Sequence, residues 1–270
     1  MQHEADLSPV AGTPDLDRVS FCSMPFDDID SAQALRLLEA RSPDQRFAYV
    51  TTPNVDHVVR LRRQGVDLLP LYEDAWLTVC DSRVLARLST LAGSRLPVVT
   101  GADLTGDVLA RVIKPRDSVN VIGADPDVVR HLEMRYRLGR VNHLVPPMHL
   151  DRQPREIERC VEFIERNPAR FTFIAVGSPQ QEKIARGAWA RGRAKGIGLC
   201  VGNALMFAAG ATPRAPRWVQ RLGLEWLHRL ALEPRRLARR YLIDDMLIFS
   251  MFLRHLASLP PSSGRRMRSR

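Results

Sequence analysis

The chain has 270 residues, 45% of them apolar, which is enough for one large or two small domains around a real core. The net charge is +10 and the basic side chains are nearly all arginine, so an acidic partner is expected: a nucleotide, a phospholipid surface or a nucleic acid. No run of eighteen apolar residues occurs, the polar stretch Met1–Asp17 is no signal peptide, and Cys22, Cys80, Cys160 and Cys200 form no CxxC pair. These features exclude a membrane span and a disulfide scaffold, and they point to a cytoplasmic protein with reduced core cysteines.

Residues 1–17 read as a loose polar tail. Asp30–Gln33 is a capping start, with a helix over Ala34–Ala40. Phe47–Thr52 predicts a strand ending at Pro53-Asn54, with helical periodicity from Val55 to Arg63. Trp76–Cys80 predicts another strand, ending at Asp81, with Ser82–Leu91 helical behind it. Pro97–Gly101 leads into a helix through Ile113, and Val119–Gly123 is a strand followed by a helix over Asp125–Leu138. Val141–Val145 is a strand, Pro146–His149 an irregular loop and Pro154–Arg166 a helix. Phe171–Val176 is a short continuous apolar run, as expected for a strand covered on both faces. It is stopped by Gly177-Ser178-Pro179, where Ser178 can cap a helix, Pro179 suits its first position and Glu182 can complete the cap. Ile197–Val201 is the last clear strand.

Strands alternating with helices of this length predict an α/β layered domain with a mainly parallel sheet over 18–212. From 213 to 256 the pattern turns all-helical and basic. Arg214, Arg217, Arg221, Arg229, Arg235, Arg236, Arg239 and Arg240 interleave with Trp218, Leu222, Trp226 and Leu230. Residues 257–270 read as a disordered basic tail. Removing the chain after about Gly210 is then expected to leave a folded α/β domain.

Polar residues gather where predicted strands end: Thr52, Asn54, Asp81, Thr100, Gln180, Gln181 and Asn203. Loops at one edge of a parallel sheet converge, so these residues either line one cleft or are the ordinary polar ends of strands. Gln180 and Gln181 suit a sugar or a base, or are solvated amides on a capped surface helix. Asp81 follows an apolar strand, where desolvation raises a carboxylate toward a useful general base; N-capping of the next helix is its other role. Asp125-Pro126-Asp127 has D-x-D spacing, but a proline at a helix start makes capping the better account. Gly123-Ala124-Asp125 lacks the G-x-G-x-x-G of a dinucleotide site. His143 and His149 lack a third ligand nearby, so no metal and no cofactor are expected. No helix-turn-helix, RNA-binding or zinc pattern is visible, so nucleic acid is not an expected partner.

Five motifs together are specific: Val50-Thr-Thr-Pro-Asn54, Cys80-Asp-Ser-Arg83, Val99-Thr-Gly-Ala-Asp-Leu104, Val176-Gly-Ser-Pro-Gln-Gln-Glu182 and the long Arg214–Arg229 stretch continuing through Glu233–Arg236 to Tyr241. By these the chain resembles the WecG/TagA/CpsF family of bacterial glycosyltransferases from about Phe21 to Ile248. The resemblance implies a Rossmann-like domain and inverting, metal-independent transfer of a sugar from a UDP donor. That sugar is N-acetylmannosamine or its uronic acid, with glucose an alternative, and the acceptor is an undecaprenyl-diphosphate-linked sugar. It implies a general base at Asp81, and donor contacts by Thr52, Asn54 and Gln181. It also implies a mobile C-terminal segment whose arginines close over the nucleotide diphosphate and touch an anionic membrane. Arg83, Thr100, Gln180 and Asn203 join the expected binding set, with Arg214, Arg217, Arg221 and Arg229 from that segment. The expected location is peripheral, on the inner face of the cell membrane, and a homo-oligomer is compatible with the sequence.

Three departures from the family pattern stand out. Ser82 occupies a position often held by glycine, which points to a different donor. Met206 replaces a frequent acid in Gly202-Asn-Ala-Leu-Met-Phe207, so a catalytically lapsed assembly partner is the rival reading. Asp244-Asp245 stands where relatives look more Gly-Pro-like. The apolar stripe of Trp218, Trp226, Phe249, Met251 and Phe252 suits either an interfacial helix or ordinary core packing.

Overall fold

The computed structural model describes residues 16–258; most of the two expected tails, 1–17 and 257–270, lies outside the described residues. The chain opens with a hairpin of β1 (Arg18–Phe21) and β2 (Met24–Asp27), then α1 (Ser31–Ala40), β3 (Ala48–Thr51) and α2 (Val55–Gln64). It continues through α3 (Pro70–Glu73), β4 (Leu77–Thr78), α4 (Arg83–Leu91) and α5 (Gly101–Asp107), which runs on into a π-helical turn. Next come β5 (Ser118–Gly123), α6 (Pro126–Tyr136), β6 (Arg140–Leu144) and α7 (Pro154–Arg166). These are followed by β7 (Phe171–Ala175), α8 (Gln180–Arg191), β8 (Ile197–Cys200) and α9 (Ala204–Ala209). The C-terminal segment holds α10 (Arg217–Leu222), α11 (Glu225–Leu232), α12 (Pro234–Arg239), a π-helical turn over Arg240–Asp244, and α13 (Leu247–Ser258).

The main sheet has six strands in the order β4-β3-β8-β7-β5-β6, and every pairing is parallel. The apolar runs are covered on both faces, as their continuous hydrophobicity requires. Alternate residues serve opposite layers: Ala48, Val50, Phe171, Phe173, Ile197 and Leu199 join one core cluster, and Tyr49, Ile174 and Cys200 join another. This is the layered Rossmann-like α/β arrangement that the alternation of elements predicts. All four cysteines are free and buried, and burial pushes the thiols of Cys22 and Cys160 up to about 11 and that of Cys80 up to about 12.

The hairpin and α3 are elements the sequence reading lacks. The hairpin turn is Cys22-Ser23, both at positive φ, so no glycine or asparagine marks it. Its Phe21, Met24 and Phe26 form a third core cluster with α2 and α4. Ile248, Met251 and Phe252 of α13 are buried in that same cluster. For Met251 and Phe252 the apolar stripe is therefore core packing, and a chain ending at about Gly210 is expected to leave part of that cluster uncovered.

Candidate active site

Three helix caps place the polar residues at the carboxyl edge of the sheet. Asn54 caps α2, its Oδ1 accepting from the Asp56 N–H at 3.1 Å. Ser82 caps α4, accepting from the Leu85 N–H at 3.2 Å, and Thr100 caps α5, accepting from the Asp103 N–H at 3.1 Å. Asp30 caps α1 in a reciprocal capping box with Gln33. The cap of α4 is thus Ser82, which frees Asp81 from the capping role suggested by its position. Asp125 stands at the N-cap position of α6 but makes no side-chain cap bond, and Asp127 pairs with Arg130 at 3.0 Å.

Asp81 is held by its backbone, whose N–H donates to the Pro53 carbonyl at 3.0 Å. The α5 terminus comes close because Gly101 has no side chain: a Cβ there would lie 3.1 Å from Thr52 Oγ1 and 3.4 Å from Asp81 Oδ2. The Gly101 N–H hydrogen-bonds to the Asp81 carboxylate. Burial pushes Asp81 up to about 7, against the lowering effects of the Arg229 charge and the Gly101 bond, and with help from the nearby Glu225 and Asp103 charges. Thr52 Oγ1 donates to the Cys200 carbonyl at 3.2 Å, tying the ends of β3 and β8 together beneath this carboxylate.

Asp81 opens into a cavity of about 330 Å³ whose walls come from both parts of the chain. Asn54, Ser82, Arg83 and Thr100 line it from the sheet edge; Glu225, Arg229, Arg240 and Asp245 close it from the C-terminal segment. Val55, Val84, Trp226, Ile248 and Phe249 give it an apolar side. A second cavity of about 90 Å³ shares Glu225, Arg229, Arg240 and Tyr241 with the first and adds Asn203, Arg214 and His228. Arg229 also lies 5.0 Å over the Phe207 ring, and Trp226 meets Tyr241 edge-on at 6.0 Å.

The expected site residues therefore divide. Asn54, Asp81, Arg83, Thr100 and Arg229 share the larger cavity, and Asn203 and Arg214 line the smaller one. Arg214 is engaged by Asp103 at 2.5 Å, with Glu225 at 3.7 Å. That hydrogen bond holds the Asp103 carboxyl below its usual range and raises the guanidinium. Thr52 and Gln181 are buried behind the cleft, Gln180 is half-buried and lines neither cavity, and Arg217 is exposed on α10. Arg221 lies on α10, and its side chain is outside the described residues. Ser178 makes no cap bond to α8, and Glu182 turns into the core instead of completing a cap. Arg240, one of the arginines of the C-terminal series, joins both cavities, as do Glu225 and Tyr241, whose only sequence signal is membership of the Arg214–Tyr241 motif. Among the described residues, no group of three or more His, Cys, Asp or Glu side chains is disposed to hold a metal ion.

Ser82 has φ −157°, extended backbone that any residue adopts, so this position does not require the glycine that the family pattern leads one to expect. Its hydroxyl is committed to the cap and its Cβ to the cavity wall. Ser82→Gly is expected to cost only a few tenths of a kcal/mol, since glycine is a fair N-cap. The expected gain is room for a bulkier donor, read as a shift in relative kcat/KM across a donor panel; an unchanged ranking would remove Ser82 from donor choice.

A parallel sheet whose strand ends present one raised carboxylate and several guanidinium groups to one cavity defines an α/β protein with a candidate site at its carboxyl edge. The family model described as the glycosyl transferase WecG/TagA/CpsF family matches residues 19–261. The chain belongs to that family, and its members are glycosyltransferases.

Proposed function

We propose that the protein is an inverting, metal-independent glycosyltransferase that moves a sugar from a UDP donor to an undecaprenyl-diphosphate-linked acceptor. The donor sugar is of N-acetylmannosamine type, with glucose or a uronic acid as alternatives. The observation that carries this reading is the Asp81 carboxylate, raised to about 7, facing Arg229 inside one cavity. In the reaction the acceptor hydroxyl attacks the anomeric carbon, its proton passes to Asp81, and the carbon–oxygen bond to the diphosphate breaks. UDP leaves with the bonding electrons. A base near neutrality suits that proton transfer. Arg83, Arg229 and Arg240 supply the cations a leaving diphosphate needs, with Arg214 available once it releases Asp103. One carboxylate and one displacement give inversion. The apolar wall formed by Val84, Ile248 and Phe249 suits the lipid end of the acceptor.

The rival reading, a lapsed assembly partner, rests on Met206. That side chain packs against the core and lines neither cavity, so its identity leaves the Asp81 site intact. No helix among the described residues is long and apolar enough to cross a membrane. A peripheral position on the inner membrane face fits the exposed apolar residues of the C-terminal segment.

The test is a panel of UDP-sugars with a lipid-diphosphate-sugar acceptor. Acceptor-dependent UDP release, and a product whose anomeric configuration is opposite to that of the donor, are expected. Retention of configuration would remove the single-displacement mechanism. Turnover is also expected to survive EDTA, because the guanidinium groups of Arg83, Arg229 and Arg240 line the cavity and can neutralise a diphosphate in place of a divalent cation. Loss of turnover on chelation and its return with Mg²⁺ or Mn²⁺ would reverse that expectation.

A further inference from the structure

The motif Val176–Glu182 reaches the cavity only indirectly. Glu182 is 0% exposed, a carboxylate wholly inside the protein. Burial pushes it up, but hydrogen bonds from His57 and Gln181 and the His57 interaction outweigh burial and hold it below its usual range. Its Oε1 lies 3.5 Å from His57 Nε2 and accepts from Gln181 Nε2 at 2.8 Å. The other ring nitrogen, His57 Nδ1, lies 2.9 Å from Asn54 Oδ1 and 3.3 Å from the Asn54 backbone N–H. Gln181 Oε1 in turn accepts from the Gly202 N–H at 2.9 Å, next to Asn203. One buried network thus joins the ends of β3 and β8 and the start of α8 to the cavity-lining Asn54.

Glu182 Oε1 is paired with His57 and Gln181 while Oε2 has no hydrogen-bond partner, so loss of either partner leaves the buried carboxylate less compensated. Held by this pair, His57 Nδ1 stands beside the Asn54 amide oxygen that caps α2, and Asn54 lines the cavity. We infer that His57 and Glu182 are positioning residues that set the orientation of Asn54 for donor binding. This rests on the donor reading above. Neither residue lines either cavity. Their substitution therefore acts through Asn54.

A double-mutant cycle tests this. His57→Ala is expected to raise donor KM about tenfold with kcat within about threefold, as loss of uniform binding does. In an Asn54→Ala background the same substitution is expected to leave KM unchanged. Additive effects in the double variant overturn the inference, because they mean His57 acts elsewhere. Glu182→Gln keeps volume and an acceptor for His57, and is expected to stay within about threefold of the starting KM, whereas Glu182→Ala follows His57→Ala. If both Glu182 variants lose KM equally, charge matters and orientation does not. Amide exchange of the Asp56 N–H, bonded to Asn54 Oδ1, gives a readout that needs no substrate. It is expected to quicken in His57→Ala and Glu182→Ala, and unchanged protection in folded variants overturns the inference even if the donor proves not to be a UDP-sugar.

Discussion

Asp81→Asn is expected to lower transfer by about 10²–10⁴ while leaving the fold intact, since asparagine keeps the shape and the acceptor for Gly101 but takes no proton. The pH profile makes the test specific. A base at about 7 gives kcat/KM an acid limb that falls about tenfold per pH unit below that value and levels above it. The Asn variant should lose the limb together with the rate. Stability should move the other way. The folded-state pKa of Asp81 is raised from 3.8 to about 7, so its contribution is complete below the unfolded value and is lost as pH rises through about 7. Asparagine cannot ionise and escapes that loss. At pH 8 the variant is expected to be more stable by on the order of a few kcal/mol, an upper bound because the carboxylate faces the open cleft; the advantage should shrink toward pH 5. Thermal melts at both pH values check the sign. Near-normal turnover, or a melting difference that grows as pH falls, would remove Asp81 from the role of base.

The parts of this site that sequence displays are those fixed by short-range chemistry. Asn54, Ser82 and Thr100 each cap a helix at a strand end, although the sequence reading starts α4 at Ser82 and offers Asp81 as its cap. Asp81 is legible because it directly follows an apolar strand. Ser178 carries the same signal and does not cap: Pro179 holds the N-cap position of α8, and Glu182 turns inward to His57, a partner 125 residues away that no local rule reveals. The Arg214–Asp103 pair is equally invisible, since it joins residues 111 apart. Helical spacing alone places the Arg214–Tyr241 arginines on several faces without saying which face meets the cleft. Arg229 and Arg240 line it; Arg217 stays in solvent. The division of the apolar stripe is likewise a tertiary outcome: Met251 and Phe252 close the third core cluster, while Phe249 on the same helix remains 46% exposed.

Replacing Leu242 and Ile243 by glutamate is expected to abolish binding to anionic vesicles without harming transfer to a water-soluble acceptor. These side chains are 56% and 66% exposed in the turn between α12 and α13, and Met246 at 52% and Leu253 at 65% continue the apolar surface. A patch of this kind beside cationic residues suits the headgroup boundary of a bilayer. Full burial of a leucine or isoleucine is worth about 1.5–3 kcal/mol, so partial insertion of the pair contributes about 2–3 kcal/mol, or roughly 10² in partitioning. The new carboxylates add repulsion. Arg235 and Arg239 are exposed nearby, and each cation adds about 1 kcal/mol near an anionic surface, an attraction that falls with salt. Binding by the unaltered protein should therefore be reversible and weaken from low to high salt, as vesicle flotation can measure. Leu242 and Ile243 line neither cavity, so the soluble-acceptor assay separates docking from chemistry. Unchanged flotation by the double variant would place the docking surface elsewhere, on α10 around the 64%-exposed Trp218. Loss of soluble transfer as well would mean that the turn carrying Arg240 into the cavity depends on its apolar neighbours, and that docking and catalysis share one element.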